Sequence, residues 1–378
     1  MKIGTVPTFL FFPMILKIDP VPSLSGSIFL PASKSYSIRA VFVAACGGHS
    51  RLFGLSDCDD AKAAMRIIRS CGVRIKEGPR GDIRVDAPGQ PSRKKTGRVD
   101  VRESGTSLRF LLPLLPFYFH GATVTGRGTL VGRPNRHLCE ALRRAGLDIR
   151  GRGAVESVPV VYRRGELSGG SLMIDGSLSS QFISALLIAS PRLEKETRLL
   201  LKGRKLVSSD YVVMTERVLE RAGIRIVRRS AREFRIPGGQ VFRGLKDFHV
   251  PSDLGLAAFF MVASALVRSS VTLRGCFDAA LPQADGAIVG LLKKMGHPCA
   301  ASGGKMRLKG PVRLKGGTFS LAACPDLVPI MTVVAMFAQG PTVLKDIAHA
   351  RAKESDRISD LRRELLKVGA DIKETPDR

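Results

Sequence analysis

Five glycines, Gly72, Gly146, Gly223, Gly296 and Gly369, recur at intervals of 74, 77, 73 and 73 residues along a chain of 378. Each closes a stretch (60–71, 135–145, 211–222, 285–295 and 356–368) whose apolar residues fall at i, i+3 and i+4, the spacing of an amphipathic helix. Each is followed by strand-like text, such as Val73-Arg74-Ile75 or Ile224-Arg225-Ile226-Val227. A glycine just past a helix lets the chain turn through the left-handed region and leave in a new direction. One such glycine is a cap, but five in near-constant register predict a repeated structural unit.

The stretches between add a second helix to each unit. Residues 105–115 and 180–189 are apolar runs that begin at Ser, Thr or Gln. Each unit is therefore a mixed α and β module of about 74 residues, too small to bury much alone, and several must share a core. Residues 182–189, 257–266 and 330–337 are apolar on nearly every face, the pattern of a helix enclosed all round. This predicts helices inside and sheets outside.

With 44% hydrophobic and 25% charged residues, the chain is globular and long enough for two domains. Seven scattered cysteines, odd in number and never spaced as C-x-x-C, argue against a disulfide framework and a zinc site and fit a reducing cytoplasm. The apolar run at 9–16 is short and holds Pro13, so neither a targeting signal nor a membrane span is expected; Met14 is a second candidate start. The formal net charge of +27 raises nucleic acid as a partner. Yet the basic residues are spread along the whole chain, Trp is absent, and no helix-turn-helix, zinc-finger or RNP signature accompanies them, so no specific nucleic acid is expected. Six isolated histidines imply no metal. Gly303-Gly304-Lys305 lacks the upstream Gly and following Ser or Thr of a phosphate-binding P-loop, so no nucleotide or other cofactor is expected.

Two polar clusters carry the chemistry. Lys34-Ser35-Tyr36-Ser37-Ile38-Arg39 opens an apolar helix, where unpaired backbone N–H groups already favour an anion. Arg351-Ala352-Lys353-Glu354-Ser355-Asp356-Arg357 gathers three cations and two carboxylates before an amphipathic helix, a density suited to an anionic ligand and a proton-transferring group.

Seven phrases, LPASKSYSIRA, ESGTSLRFLLPLL, GRPNRHLCEALRRAG, GSLSSQFISALLIASP, SSDYVVMTERVLERAGI, PSDLGLAAFFMVASAL and RAKESDRISDLRRELLKVGA, follow one another in that order. From about Met14 onward the chain resembles the 5-enolpyruvylshikimate-3-phosphate (EPSP) synthase family, which joins phosphoenolpyruvate to shikimate 3-phosphate. The resemblance implies a two-domain inside-out α/β barrel of βαβαββ-type units, with the active site in the cleft between domains. Residues 1–32 plus 248–378 would form the first domain and 33–247 the second. It implies that Lys34, Ser35 and Arg39 contact both substrates. Ser179, Ser180, Gln181, Ser208, His349 and Lys353 would hold shikimate 3-phosphate beside Tyr211. Arg133 and Arg357, with Lys34 and Gln181, would grip phosphoenolpyruvate, for which Gly105 leaves room in a loop bearing Thr106 and Arg109. Asp326 would take the proton from the 5-hydroxyl, and Glu354 would serve the methylene carbon. A monomer is implied.

The chain departs from the family at Ile38, Glu103, Phe110 and His349; the first three alter packing, and His349, in place of Asn, brings a charge that changes with pH. Only nine residues follow Gly369, whereas six units need on the order of 440 residues. A D-H-R-M-A-M-like helix and a later Lys have no counterpart, which predicts exposed apolar surface and low activity, or else a truncated sequence. Two alternatives follow. One is an impaired remnant binding anionic ligands or RNA. The other is the related transferase acting on UDP-N-acetylglucosamine, disfavoured because residues 116–127 hold no Cys.

Overall fold

The computed structural model describes residues 17, 19–87, 93–203 and 206–378, so the apolar run at 9–16 and Met14 lie outside the described residues. All five repeat glycines have positive φ, from 82° to 109°. At each, the glycine N–H turns back onto the helix and the next residue's N–H reaches the carbonyl five residues earlier: Val73 to Ile68, Leu147 to Leu142, Ile224 to Leu219, His297 to Leu292 and Ala370 to Leu365. These paired bonds satisfy carbonyls that the helix end would otherwise leave bare.

The units build one sheet design four times. A parallel pair is extended by an antiparallel hairpin: Gly97–Asp100 beside Ala122–Thr125, then Ser157–Arg164, then Asp148–Arg152. The same order recurs in Gly170–Asp175, Thr197–Lys202, Glu233–Ile236 and Val227–Ser230. In the other two sheets the chain exchanges first strands. Leu24–Phe29 pairs with Ser269–Arg274, while Phe248–His249 pairs with Gly48–Phe53. The two passages lie side by side: Ala32 bridges Ser252, Ser33 N–H donates to Pro251 O, and Asp253 N–H donates to Pro31 O. The Asp253 carboxylate then accepts from Lys34 N–H at 3.2 Å and Leu256 N–H at 3.0 Å, capping one helix of each core at once.

Two hydrophobic cores flank this crossing, one built from helices between Tyr36 and Leu219 and the other from helices between Ala257 and Val334. In the first, Ser180–Ala189 buries Phe182, Ile183, Leu186, Leu187 and Ile188 completely or nearly so, each worth roughly 1.5–3 kcal/mol. The enclosure expected of all three apolar helices holds for this one alone. Leu254–Leu266 leaves Phe259 54% exposed, and Phe337, just beyond Val328–Met336, is 61% exposed, because nothing among the described residues packs on that flank. Strand text after the glycines also needs correction. After Gly296 the first strand is the two-residue Ala301–Ser302, and after Gly369 there is none. The last nine residues fold back as coil, where Asp377 accepts from Ile347 N–H and Ala348 N–H, and Thr318–Ser320 with Val343–Lys345 make a sheet of two strands.

The cap geometry sets an expectation for stability. A Cβ at Gly146 would sit 2.9 Å from Glu166 O at a φ of +109°, whereas one at Gly290, inside an exposed helix face, meets nothing. Gly146→Ala is expected to destabilise by at least about 1 kcal/mol, and Gly290→Ala to be neutral or stabilising by up to about 1 kcal/mol, in urea unfolding.

Candidate active site

Three helix starts point into one cleft. Lys34–Ala45 begins at Ser33, whose Oγ accepts from Tyr36 N–H; Gly105–Leu111 begins at Ser104, which caps Ser107; Ser180–Ala189 begins at Ser179, which caps Gln181. Their unpaired N–H groups and dipoles make the cleft positive before any side chain is counted. Lys34, Ser35, Arg39, Gly105, Arg133, Ser179, Ser180 and Gln181 line it from the first core, and Asp326, Lys353, Glu354 and Arg357 from the second.

Carboxylates pair with these cations. Arg357 Nη1 donates to Asp326 Oδ1 at 2.6 Å and Nη2 to Glu354 Oε2 at 2.9 Å. Glu354 Oε1 accepts from Arg133 Nη1 at 3.2 Å, and Lys353 Nζ lies 3.5 Å from Asp326 Oδ1. The remaining cavity is about 50 Å³, room for a few waters. Burial acts against the charge on Asp326, but Lys353 and Arg357 outweigh it and hold the carboxyl far below the usual range. Glu354 is likewise lowered, against its burial, chiefly by Arg133. Lys34 is raised despite burial, by Asp60, Asp326 and Glu354, with Asp60 Oδ2 3.4 Å from its Nζ. Asp326 and Glu354 therefore stay ionised at neutral pH among the cations of the cleft.

Two arginines frame the walls. Arg39, wholly buried, donates to Thr215 Oγ1, Ser35 O and Tyr211 O and stacks over Phe110 and Tyr211. The change to Phe110 thus gives this guanidinium an aromatic face. Arg109 donates to Gln181 Oε1, and Gln181 Nε2 donates to Thr106 Oγ1 at 2.9 Å, which fixes the Gln181 amide at the cleft. Glu103 turns away and accepts from Thr129 N–H and Oγ1.

The clusters at 34–39 and 351–357, far apart in sequence, face each other here. Two expected residues do not line the cavity. Ser208, in the left-handed region at φ 54°, instead donates its N–H to Ala322 O across the two cores. His349 is buried with Nε2 unpartnered, and burial and Lys353 push its imidazole down to about 4, so it is neutral at pH 7 and does not switch near neutrality as expected. Sequence reasoning missed Asp60 and Asp285. Asp60 was legible only as a helix-start acid, and Asp285 shares the Tyr211 hydroxyl with Asp326 through a contact across 74 residues that no local pattern reveals.

A family model for EPSP synthase (3-phosphoshikimate 1-carboxyvinyltransferase) matches residues 18–378. The chain belongs to the EPSP synthase family. It is 37% identical over 358 residues to the 3-phosphoshikimate 1-carboxyvinyltransferase of Methanothrix thermoacetophila, covering 94% of this chain and 82% of that one. The enzyme of the same name from Edwardsiella ictaluri is 32% identical over 370 residues, with coverage of 96% and 84%. The solved EPSP synthase of Acinetobacter baumannii superposes with a TM-score of 0.73 at 28% identity, over 94% of this chain and 80% of that one. Family membership establishes the two-domain inside-out α/β fold. Among the described residues, no helix is long and apolar enough to cross a membrane.

The depressed imidazole gives a pH signature. The unfolded His349 binds a proton below about 6.5 and the folded one only below about 4, so between these values the unfolded chain carries more protons and stability rises with pH. Urea unfolding of the wild type is expected to lose on the order of 3 kcal/mol from this group as pH falls through that window, and His349→Asn to remove that part of the slope.

Proposed function

We infer that this cleft transfers the enolpyruvyl group of phosphoenolpyruvate to the 5-hydroxyl of shikimate 3-phosphate, releasing phosphate. The observation that carries the reading is the Arg357 guanidinium bonded to both Asp326 and Glu354, with Arg133 on the far side of Glu354. Two substrates bearing phosphates and carboxylates need several cations, and Arg133, Lys353 and Arg357 are each paired with Asp326 or Glu354, the carboxylates the reaction uses. Names of the matched relatives specify the shikimate substrate, and no observation favours the UDP-sugar reading or the inactive remnant.

In this reading Lys34, Ser35, Arg39, Ser179, Ser180, Gln181 and Lys353 receive shikimate 3-phosphate, with Ser208 and His349 behind them. Phosphoenolpyruvate lies between Arg133, Arg357, Lys34 and Gln181. Its arrival draws Arg357 away from both carboxylates and Arg133 from Glu354, so both become better bases at the moment substrates are in place. Asp326 then takes the hydroxyl proton as the oxygen attacks the central carbon. Glu354, protonated once its arginines turn to the ligand, delivers a proton to the methylene carbon. In the second half Glu354 removes a proton from the new methyl group, the C–O bond to phosphate breaks, and the enol ether and inorganic phosphate result, the phosphate leaving with the proton that Asp326 took from the hydroxyl. Lys34, within electrostatic reach of Asp326 and Glu354, stabilises the charge that develops. We further propose the domain division at 1–32 plus 248–378 and 33–247, a monomer, and a cytoplasmic location, the last supported by the scattered free cysteines.

Phosphate release with both substrates tests the reading. Wild type is expected to turn over, and Asp326→Asn to lose at least about a hundredfold in kcat. Absence of turnover by the wild type, with shikimate 3-phosphate still bound, would overturn it. A Cβ at Gly105 would lie 2.8 Å from Arg133 Nη1, so Gly105→Ala pushes the guanidinium aside. It is expected to raise KM for phosphoenolpyruvate about tenfold while shikimate 3-phosphate binds as before.

A further inference from the structure

Tyr211 Oη lies 2.9 Å from Asp326 Oδ2 and 2.9 Å from Asp285 Oδ2. A phenol has one proton, and an ionised carboxylate only accepts. Two hydrogen bonds among these three oxygens therefore require a second proton, which one of the carboxyls must carry. Asp326 is unsuited to it, because its other oxygen takes Arg357 at 2.6 Å and has Lys353 at 3.5 Å. Among the described residues Asp285 has no cation within ion-pair distance, and its Oδ1 is buried without a partner. The groups facing it are Tyr211, the carboxylates of Asp326 and Asp253, the thiol of Cys324, and Lys353 at longer range.

We propose that Asp285 is a neutral positioning residue, donating its carboxyl proton to Tyr211 Oη so that the phenol proton is directed to Asp326 and fixes that carboxylate's orientation for the incoming hydroxyl. The inference rests on the reading of Asp326 as the base. Burial first, then Asp326, push Asp285 up to about 7, consistent with a carboxyl that holds its proton. Tyr211 is itself raised well above its usual value by burial and the two carboxylates, so it stays a phenol throughout. The resulting chain runs Asp285 Oδ2–H to Tyr211 Oη–H to Asp326 Oδ2. When Asp285 ionises, two carboxylates compete for one phenol proton and Asp326 loses its fixed partner. Activity is therefore expected to fall as pH rises through the Asp285 transition. Asp285 touches no reacting atom, and its effect passes through Tyr211.

The test pairs kinetics with infrared spectroscopy. Asp285→Ala is expected to lower kcat about tenfold with little change in KM for either substrate. Asp285→Asn, whose amide N–H still donates to Tyr211, is expected to recover most of that loss and to lack the wild-type fall on the alkaline side. In the resting wild-type protein, a neutral carboxyl C=O stretch should be present near pH 6, persist in Asp326→Asn and diminish in Asp285→Asn. The spectrum needs no turnover, so it decides the protonation of Asp285 even if the transfer reaction itself is refuted. An Asp285→Asn variant as impaired as Asp285→Ala with its alkaline limb unchanged, or a carboxyl stretch untouched by Asp285→Asn, would overturn the proposal.

Discussion

Carboxylates of one core, paired with cations of both, bind the two sides of this cleft together. Glu354 reaches Arg133 across the gap, and Asp326 meets Tyr211 there. Ser208 N–H to Ala322 O and Tyr36 Oη to Pro282 O add neutral ties. Gathering Lys34, Arg133, Lys353 and Arg357 in one place without ligand would be costly, since like charges at such range repel strongly in a partly desolvated site. The internal carboxylates remove that cost. In the proposed mechanism binding is an exchange of partners, in which the ligand's phosphates and carboxylates replace Asp326 and Glu354, and the released carboxylates serve as the bases of the reaction.

The repeat supplies the scaffold for this exchange. The first four units turn out of their helices through a left-handed glycine into a hairpin, while the second helix of a unit follows a strand. Repetition brings the starts of Lys34–Ala45, Gly105–Leu111 and Ser180–Ala189 to the cleft, so backbone N–H groups converge there as a by-product of the architecture. The strand exchange at residues 31–33 and 251–253 is the one place where the two cores are covalently continuous. Asp253 capping a helix of each core sets their relation at that point.

Much of this was legible in the sequence, for local reasons. A helix-capping glycine is a short-range requirement, so the repeat could be counted without coordinates. The residues of the Lys34 and Lys353 clusters stood out because cations rarely crowd at helix starts without a ligand. What escaped was long-range. Phe259 and Phe337 read as enclosed because apolar periodicity reports a preference for burial, not the presence of a neighbour. His349 read as a pH switch because its type suggests one, whereas its burial beside Lys353 keeps it neutral. Asp285 read as a helix start, and only the fold brings it to Tyr211.

The partner exchange is tested most directly by the affinity of Glu354→Gln for phosphoenolpyruvate, measured by calorimetry in the presence of shikimate 3-phosphate. Removing the internal competitor for Arg133 and Arg357 is expected to tighten binding by about fivefold, the equivalent of an ion pair of about 1 kcal/mol, while turnover falls. Weaker or unchanged binding would contradict the account, because Glu354 would then be organising the arginines rather than holding them in reserve.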